Sequence, residues 1–410
     1  MHQKVRNPTG VRTLVPACMA AVAYIDPGNF GVNVESGASY GYALAWVVIA
    51  ASIVGMVVQY LAAKLGAATG LSLAENCRER CSGPVRVQLW LVTELVVIMT
   101  DLAELVGGAF ALNILFGVPL LVGAVIVGAV SFVVLAIRVR GHEGFEVLVL
   151  ALLAMVVIAV LWQTVIAGVD LDRLATEIAP GPMEPSAALL AAGIVGATVM
   201  PHALHFQSAV CRPVPVVTAA GAHGKGVGRD GGSASIARDL RRSVVIAMSV
   251  VGLANVAIVL AAAVLPESAS GDLAAAYAAF GDVAGHGAAV LFALALLASG
   301  LASTVVGAYT GQVVMQGFLR RSYTVWVRRV VSLAPPLVLL ALGLNATQAL
   351  VLSQVVLSFA APTSLIPLVL FTRRRAVMGD LVNRPLTTWV AGAATVLIIA
   401  LNAYVLLALV

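Results

Sequence analysis

Long apolar runs separated by short polar connections organise this chain from one end to the other. A helix needs about 20 residues to cross roughly 30 Å of hydrocarbon. Runs of that length fall at 11–36, 42–66, 86–116, 118–137, 145–167, 187–211, 243–265, 286–318, 325–343, 347–371 and 386–410. Eleven membrane-spanning helices are therefore expected, the first, sixth and eighth of them long or interrupted. Composition agrees: 61% of the 410 residues are hydrophobic and 10% are charged, and the mean hydropathy of +1.02 lies far outside the range of soluble domains. The chain reads as an all-α polytopic membrane protein, one transmembrane domain over residues 1–410.

Charge then sets orientation, because Lys and Arg in short loops stay cytoplasmic. With the N-terminus inside, every Lys and Arg except Arg173 falls in the inner tail or an inner loop. The expected outer loops carry acids instead, Glu35, Asp170, Asp172, Glu177, Glu184, Glu267, Asp272 and Asp282, which would modestly concentrate cations there. The C-terminus is expected outside the cytoplasm. The net charge of +5 thus reflects topology, and no basic stripe with interleaved aromatics suggests nucleic acid. The Gly-rich stretch 217–235, with His223, Lys225 and Arg229, reads as a flexible inner linker. Its Gly224-Lys225 lacks the spacing and the following Ser or Thr of a phosphate loop, which argues against an ATP-driven pump. No removable signal peptide is expected. Cys77 and Cys81, four apart in an inner loop, read as reduced bystanders and not as a metal or redox pair, and Cys18 and Cys211 as packing residues. Many Arg, few Lys and abundant Ala, Val and Gly point to a GC-rich bacterial source, so the membrane expected is the cytoplasmic one. No obligatory protein partner is implied; the partners are lipid, ions and protons.

Two of the apolar segments contain residues that should not be there. Asp26 lies within Ala-Tyr-Ile-Asp-Pro-Gly-Asn, 23–29, and a carboxylate at membrane depth costs several kcal/mol or more. Pro27 removes a backbone donor and Gly28 tolerates non-helical dihedrals, so the helix should break there. The sixth segment repeats the anomaly in Gly-Ala-Thr-Val-Met-Pro-His, 196–202. A single Pro kink often only shapes packing. A pair of interrupted segments at corresponding positions of two halves points to a transport site at the bilayer midplane. The halves would be segments one to five, about 11–167, and six to ten, about 187–371, inverted because five is odd, with segment eleven at 386–410 outside the repeat.

The donors at these breaks select a cation. Asp26 offers a carboxylate oxygen, Asn29 an amide oxygen, and the unwound turns offer carbonyls, those of Ala23 and Ala197 being the expected ones. Oxygen alone would suit Mg²⁺ or Ca²⁺. Met200 at the second break adds a soft thioether, which favours first-row transition ions.

Asp26-Pro27-Gly28-Asn29 and Met200-Pro201-His202 resemble the two signature motifs of the Nramp family, proton-coupled transporters of divalent transition metals. The resemblance extends to Thr100-Asp101-Leu102-Ala103-Glu104, to Gly311-Gln312 and Gly317-Phe318-Leu319, to Arg328-Arg329, and to 353–359, Ser-Gln-Val-Val-Leu-Ser-Phe. It implies a leucine-transporter-like 5+5 inverted repeat with helices 1 and 6 broken. It implies a metal site of Asp26, Asn29, Met200 and the carbonyls of Ala23 and Ala197, approached by Gln354 in some conformations. The function it implies is proton-coupled import of Mn²⁺ or Fe²⁺ by alternating access, with the metal as substrate, H⁺ as co-substrate and no bound cofactor.

The proton route is expected along segment three. Glu94, Asp101 and Glu104 cover about 80° of one helix circumference, so all can face the protein interior as a relay or water-lined path; Glu94 alone also reads as a solvated interfacial acid. Arg328 and Arg329 read either as a topology anchor or, by the resemblance, as partners of those acids, one of them offsetting Asp101 or Glu104. His202 is either a proton acceptor or a hydrogen-bonded support for the broken turn, and His205 shares its helical face. Many Nramp proteins carry an aromatic residue where this chain has His205 and a histidine where it has Gln207, which leaves a second histidine without a role here. The alternatives are a Mg²⁺ or other divalent carrier of the same superfamily, against which Met200 argues, and a sodium-coupled organic-solute symporter, whose substrate carboxylate Asp26 would repel. No nucleophile–base pair or zinc motif supports an enzyme.

Overall fold

The computed structural model describes residues 11–139, 144–212, 233–319 and 325–409. All regular structure among the described residues is helical. The helices are α1 (Val11–Ala21), α2 (Pro27–Tyr40), α3 (Ala45–Thr69), α4 (Leu73–Arg80), α5 (Gly83–Phe116), α6 (Leu120–Val139), α7 (Gly144–Ala167), α8 (Leu171–Glu177), α9 (Pro185–Thr198), α10 (Pro201–Val210), α11 (Ser233–Ala262), α12 (Leu273–Ala284), α13 (His286–Leu319), α14 (Val325–Ala341), α15 (Ala346–Thr372), α16 (Arg375–Met378) and α17 (Pro385–Leu409). Each of the eleven expected segments is occupied by one helix, or by two where a break was expected. Eight spans among the described residues are long and apolar enough to cross a membrane, the joined α9–α10 unit counted as one. Large apolar side chains are left exposed along most of the long helices, among them Trp162 and Val165 on α7 and Trp389 and Leu407 on α17, as expected where hydrocarbon replaces water.

The packing repeats itself between the halves. α2 lies along α11 as α10 lies along α3, and α15 packs on α5 as α7 packs on α13, while α5 and α13 form the most extensive contact in the molecule. Exchanging α2 with α10, α3 with α11, α5 with α13 and α7 with α15 converts each contact into its counterpart.

Several elements were not visible as apolar segments. α11 starts ten residues before the expected 243, because Arg238, Arg241 and Arg242 end the apolar run without ending the helix. α12 occupies what read as an outer loop carrying acids, its 12 mostly apolar residues being too few to span; Asp272 caps it by accepting from the Ala274 amide at 2.9 Å, and it buries Leu273, Ala276, Ala279 and Phe280. α4 is started by a capping box, the Ser72 hydroxyl taking the Glu75 amide while the Glu75 carboxylate takes the Ser72 amide.

Loop contacts define two faces. On the basic one, Arg212 pairs with Glu75 at 3.0 Å, Arg78 donates to the carbonyls of Gln316 and Gly317 at the end of α13, and Lys64 donates to Asn383. The four cysteines are free thiols; Cys81 is pushed down to about 7, chiefly by its hydrogen bond with Cys77. On the acidic face, Arg173 and Glu177 pair at 2.8 Å, and that hydrogen bond holds the Glu177 carboxyl below its ordinary range. Residues 213–232, most of the expected linker with His223, Lys225 and Arg229, lie outside the described residues, as do Lys4, Arg6, Arg140, Arg320 and Arg321.

Close approach of α3 to α10 depends on Gly66, where an added methyl group would lie 2.1 Å from the Ser208 carbonyl oxygen. Neither partner can yield, since both atoms belong to helix backbone. Gly66→Val is expected to destabilise the protein by about 1–3 kcal/mol, read as a lowered thermal unfolding midpoint in detergent; an unchanged midpoint would contradict the packing.

Candidate metal centre

The first helix gives way in two steps. α1 tightens into a 3₁₀ turn at Val22–Ile25, and Asp26 then takes an extended conformation (φ −76°, ψ 168°) before Pro27 opens α2. Pro at the first helical position is well placed, since its missing N–H would have no partner there. Asp26 Oδ1 caps α2 by accepting from the Asn29 amide at 2.8 Å, a favourable place for negative charge at a helix N-terminus. The carbonyls freed by the break are held from outside: Asn255 on α11 donates to Tyr24 O at 2.9 Å, and Ser299 on α13 donates to Ile25 O at 2.6 Å. Ala23, within the 3₁₀ turn, is buried.

The second break is built alike. α9 ends at Thr198, Val199 and Met200 are non-helical, and Pro201 opens α10. Asn29 joins the two breaks. Its Nδ2 donates to Asp26 Oδ1 at 3.1 Å and to Ala197 O at 2.8 Å. Met200, three residues beyond Ala197, is fully buried, as are Asp26 and Asn29.

Gln354 on α15 lies across both half-helices. A methyl group added at Gly28 would meet its Nε2 at 1.7 Å, and one at Gly196 would meet its carbonyl oxygen at 1.9 Å. Three buried acceptors here, Asp26 Oδ2, Asn29 Oδ1 and Gln354 Oε1, have no hydrogen-bond partner among the described residues. Orphaned buried acceptors are few in native proteins and costly; three around one junction mark a place for a positively charged or donating guest. Among the described residues no group of three or more His, Cys, Asp and Glu could hold a metal, so a cation here would rest on one carboxylate and neutral donors.

The acids of α5 are met by the arginines of α14. Arg329 bonds Asp101 and lies 3.8 Å from Glu104, and its Nε donates to Ser131 on α6 at 3.2 Å. Arg328 pairs with Glu94 at 2.8 Å, where the carboxylate side chain is 22% exposed, and Trp90 donates to the same carboxylate at 3.1 Å. His202 Nδ1 lies 3.3 Å from the Thr100 hydroxyl, which ties α10 to the acidic helix. His205 Nε2 lies 3.4 Å from Ser364 on α15, away from Thr100.

Asn255, Ser299 and Ser131 escaped sequence reasoning, because a single Asn or Ser in an apolar helix has no local signature. The same holds for a buried polar chain beside the first break, in which Tyr24 donates to Gln59 at 2.8 Å and Gln59 donates to Gln207 at 3.3 Å. Gln207 is the position where many Nramp proteins carry histidine, and here its amide links α10 to α3.

The two arginine pairs differ in burial, and their variants should differ accordingly. Arg329→Ala strands two carboxylates in the interior and is expected to cost about 3–5 kcal/mol. Arg328→Ala leaves Glu94 partly solvated and should cost about 1 kcal/mol or less. Chemical unfolding in detergent distinguishes them, and equal losses would contradict the arrangement.

Comparison with known proteins gives a consistent answer. The family model described as natural resistance-associated macrophage protein-like, Nramp, matches residues 17–408. The divalent metal cation transporter MntH of Deinococcus radiodurans is 41% identical over 408 residues, 98% of this chain and 91% of that protein. MntH of Aeromonas hydrophila is 41% identical over 403 residues, 97% of this chain and 96% of its own length. Among solved structures, the Eremococcus coleocola manganese transporter in complex with an aromatic bis-isothiourea compound superposes with a TM-score of 0.83 at 28% identity, covering 98% of this chain and 88% of that one. Mhp1, a nucleobase-cation-symport-1 transporter, shares the leucine-transporter-like fold at a TM-score of 0.60 and 17% identity, over 97% and 90% of the two chains. A family match over nearly the whole length, with both broken helices at the motifs that define the site, leaves one conclusion: the chain belongs to the Nramp family of membrane transporters.

Proposed function

We propose that this protein imports divalent first-row transition ions, Mn²⁺ or Fe²⁺, across the cytoplasmic membrane by proton-coupled alternating access, with its N-terminus cytoplasmic and its C-terminus outside. The observation that carries this reading is the set of orphaned acceptors on Asp26, Asn29 and Gln354 at the junction of two broken helices. The Asn29 NH₂ bridges Asp26 Oδ1 and Ala197 O, so an electropositive group already sits between two oxygens. A divalent ion takes that place when the amide turns to offer Oδ1, and Asp26, Asn29, Ala197 O, Ala23 O and the Met200 thioether complete its shell, with Gln354 closing over it. The names of the relatives, transporters of divalent metal cations and of manganese, accord with this donor set.

A single carboxylate leaves a bound dication with a net positive charge, which suits cargo that must be released. Met200 disfavours hard ions, because a thioether cannot replace the water that Mg²⁺ or Ca²⁺ gives up. Inward movement of two charges gains about 4.6 kcal/mol per 100 mV of membrane potential. Asp26, Asn29, Met200 and Gln354 are fully buried here, and access requires tilting α1 or α10 at its break while α5 and α13 hold still. The proton leaves along α5, by way of Glu104, Asp101 and Glu94, with Arg329 and Arg328 setting the charge along the path and His202, near Thr100, standing between the site and that column.

Uptake into proteoliposomes with an imposed pH gradient tests each part. Asp26→Ala and Asn29→Ala should reduce Mn²⁺ uptake to background; uptake that survives both would remove the site. Met200→Ala should keep Mn²⁺ transport and admit Ca²⁺ or Mg²⁺, and unchanged selectivity would refute the thioether's role. Glu104→Gln should diminish internal acidification more than metal uptake, and acidification equal to wild type would reject the proton path.

A further inference from the structure

A cavity of about 680 Å³ opens between α3, α11 and α17 at the basic face, apart from the metal site. Lys64, Arg238, Arg241 and Arg384 line its rim, and Asp380 is the one acidic side chain in its wall. The ion pairs found among the described residues lie elsewhere, and none involves these four cations. Lys64 is only 4% exposed; its ammonium donates to the neutral Asn383 amide oxygen and lies 5.2 Å from the Tyr60 ring centroid. A buried ammonium with neutral partners leaves part of its charge unanswered.

Deeper in, the wall changes character. Met56, Val57 and Val245 line it, with Met56 about 12 Å below Lys64 along α3. An exposed apolar surface continues from there, with Ile53 56%, Leu386 74% and Trp389 78% exposed on the flanking helices. A basic rim above an apolar wall, at the end of spanning helices, matches one kind of molecule.

We propose that this cavity binds one anionic phospholipid, its phosphate held by Arg238, Arg241, Arg384 and Lys64 and its acyl chains laid along α3 and α11. Arginine forks match phosphate oxygens geometrically, and basic pockets between transmembrane helices on the inner side take acidic head groups. A zwitterionic lipid fits less well, since its own cation would meet four like charges with only Asp380 to offset them. Occupancy fastens the peripheral α17 to the α3–α11 pair, and those two helices carry one half of each broken helix, α11 the outer half α2 and α3 the inner half α10. The inference is independent of which ion is transported.

The test compares delipidated wild type with Arg238→Gln/Arg241→Gln/Arg384→Gln by native mass spectrometry, titrating phosphatidylglycerol, phosphatidylcholine and inorganic phosphate. Wild type is expected to hold one phosphatidylglycerol at least about tenfold more tightly than phosphatidylcholine, roughly the worth of one to two interfacial charges. The triple variant should lose that preference while keeping its lipid-free unfolding midpoint, and millimolar phosphate should not displace the lipid. Equal preference in wild type and variant, no preference in wild type, or displacement by phosphate alone would each overturn the proposal. Should the triple variant fail to fold, the single exposed change Arg384→Gln is expected to weaken phosphatidylglycerol about fivefold, and an unchanged affinity would overturn it equally.

Discussion

A helix broken inside a bilayer releases backbone polar groups where no water can receive them, and the protein itself must supply their partners. Here the partners are specific. Asn255 and Ser299 take the Tyr24 and Ile25 carbonyls, Asn29 takes that of Ala197, and Asp26 caps the helix that restarts. The surrounding helices are placed to deliver these donors, which is why α11 and α13 press on the first break and α2 reaches the second. Once those groups are satisfied, Asp26 Oδ2, Asn29 Oδ1 and Gln354 Oε1 stand out as acceptors the fold does not use.

Electrostatics divides the labour along the same axis. The metal junction carries one carboxylate, whereas the acids of α5 are answered by two arginines on α14, the deeper pair fully enclosed and the shallower one partly solvated. In the proposed mechanism, keeping the two charge systems on different helices lets a cation and a proton follow separate routes. His202 is the point where they approach, through Thr100.

The sequence made the two breaks legible because Pro, Gly and a charge cannot share an apolar span without a reason, and the same argument located Asp26, Asn29, Met200 and the α5 acids. It placed the spans because hydropathy follows bilayer thickness. It did not reveal α12 or the first turns of α11, since 12 mostly apolar residues are too few to span a bilayer and the start of α11 is polar. Nor could it reveal Asn255, Ser299 or Ser131, whose roles come from helix pairing and not from neighbours in sequence. Arg329 was ambiguous for a related reason: a basic pair at a helix start reads as a topology anchor until packing turns one side chain inward.

The central claim is that one divalent ion sits where the two broken helices meet. Anomalous diffraction from crystals soaked in Mn²⁺ tests it most directly. A single peak in contact with the Asp26 carboxylate, the Asn29 amide oxygen and the Met200 sulfur, absent from Asp26→Ala crystals, is the result this account predicts. A peak elsewhere in the molecule with none at this junction, or one that persists at the junction without Asp26, would contradict it.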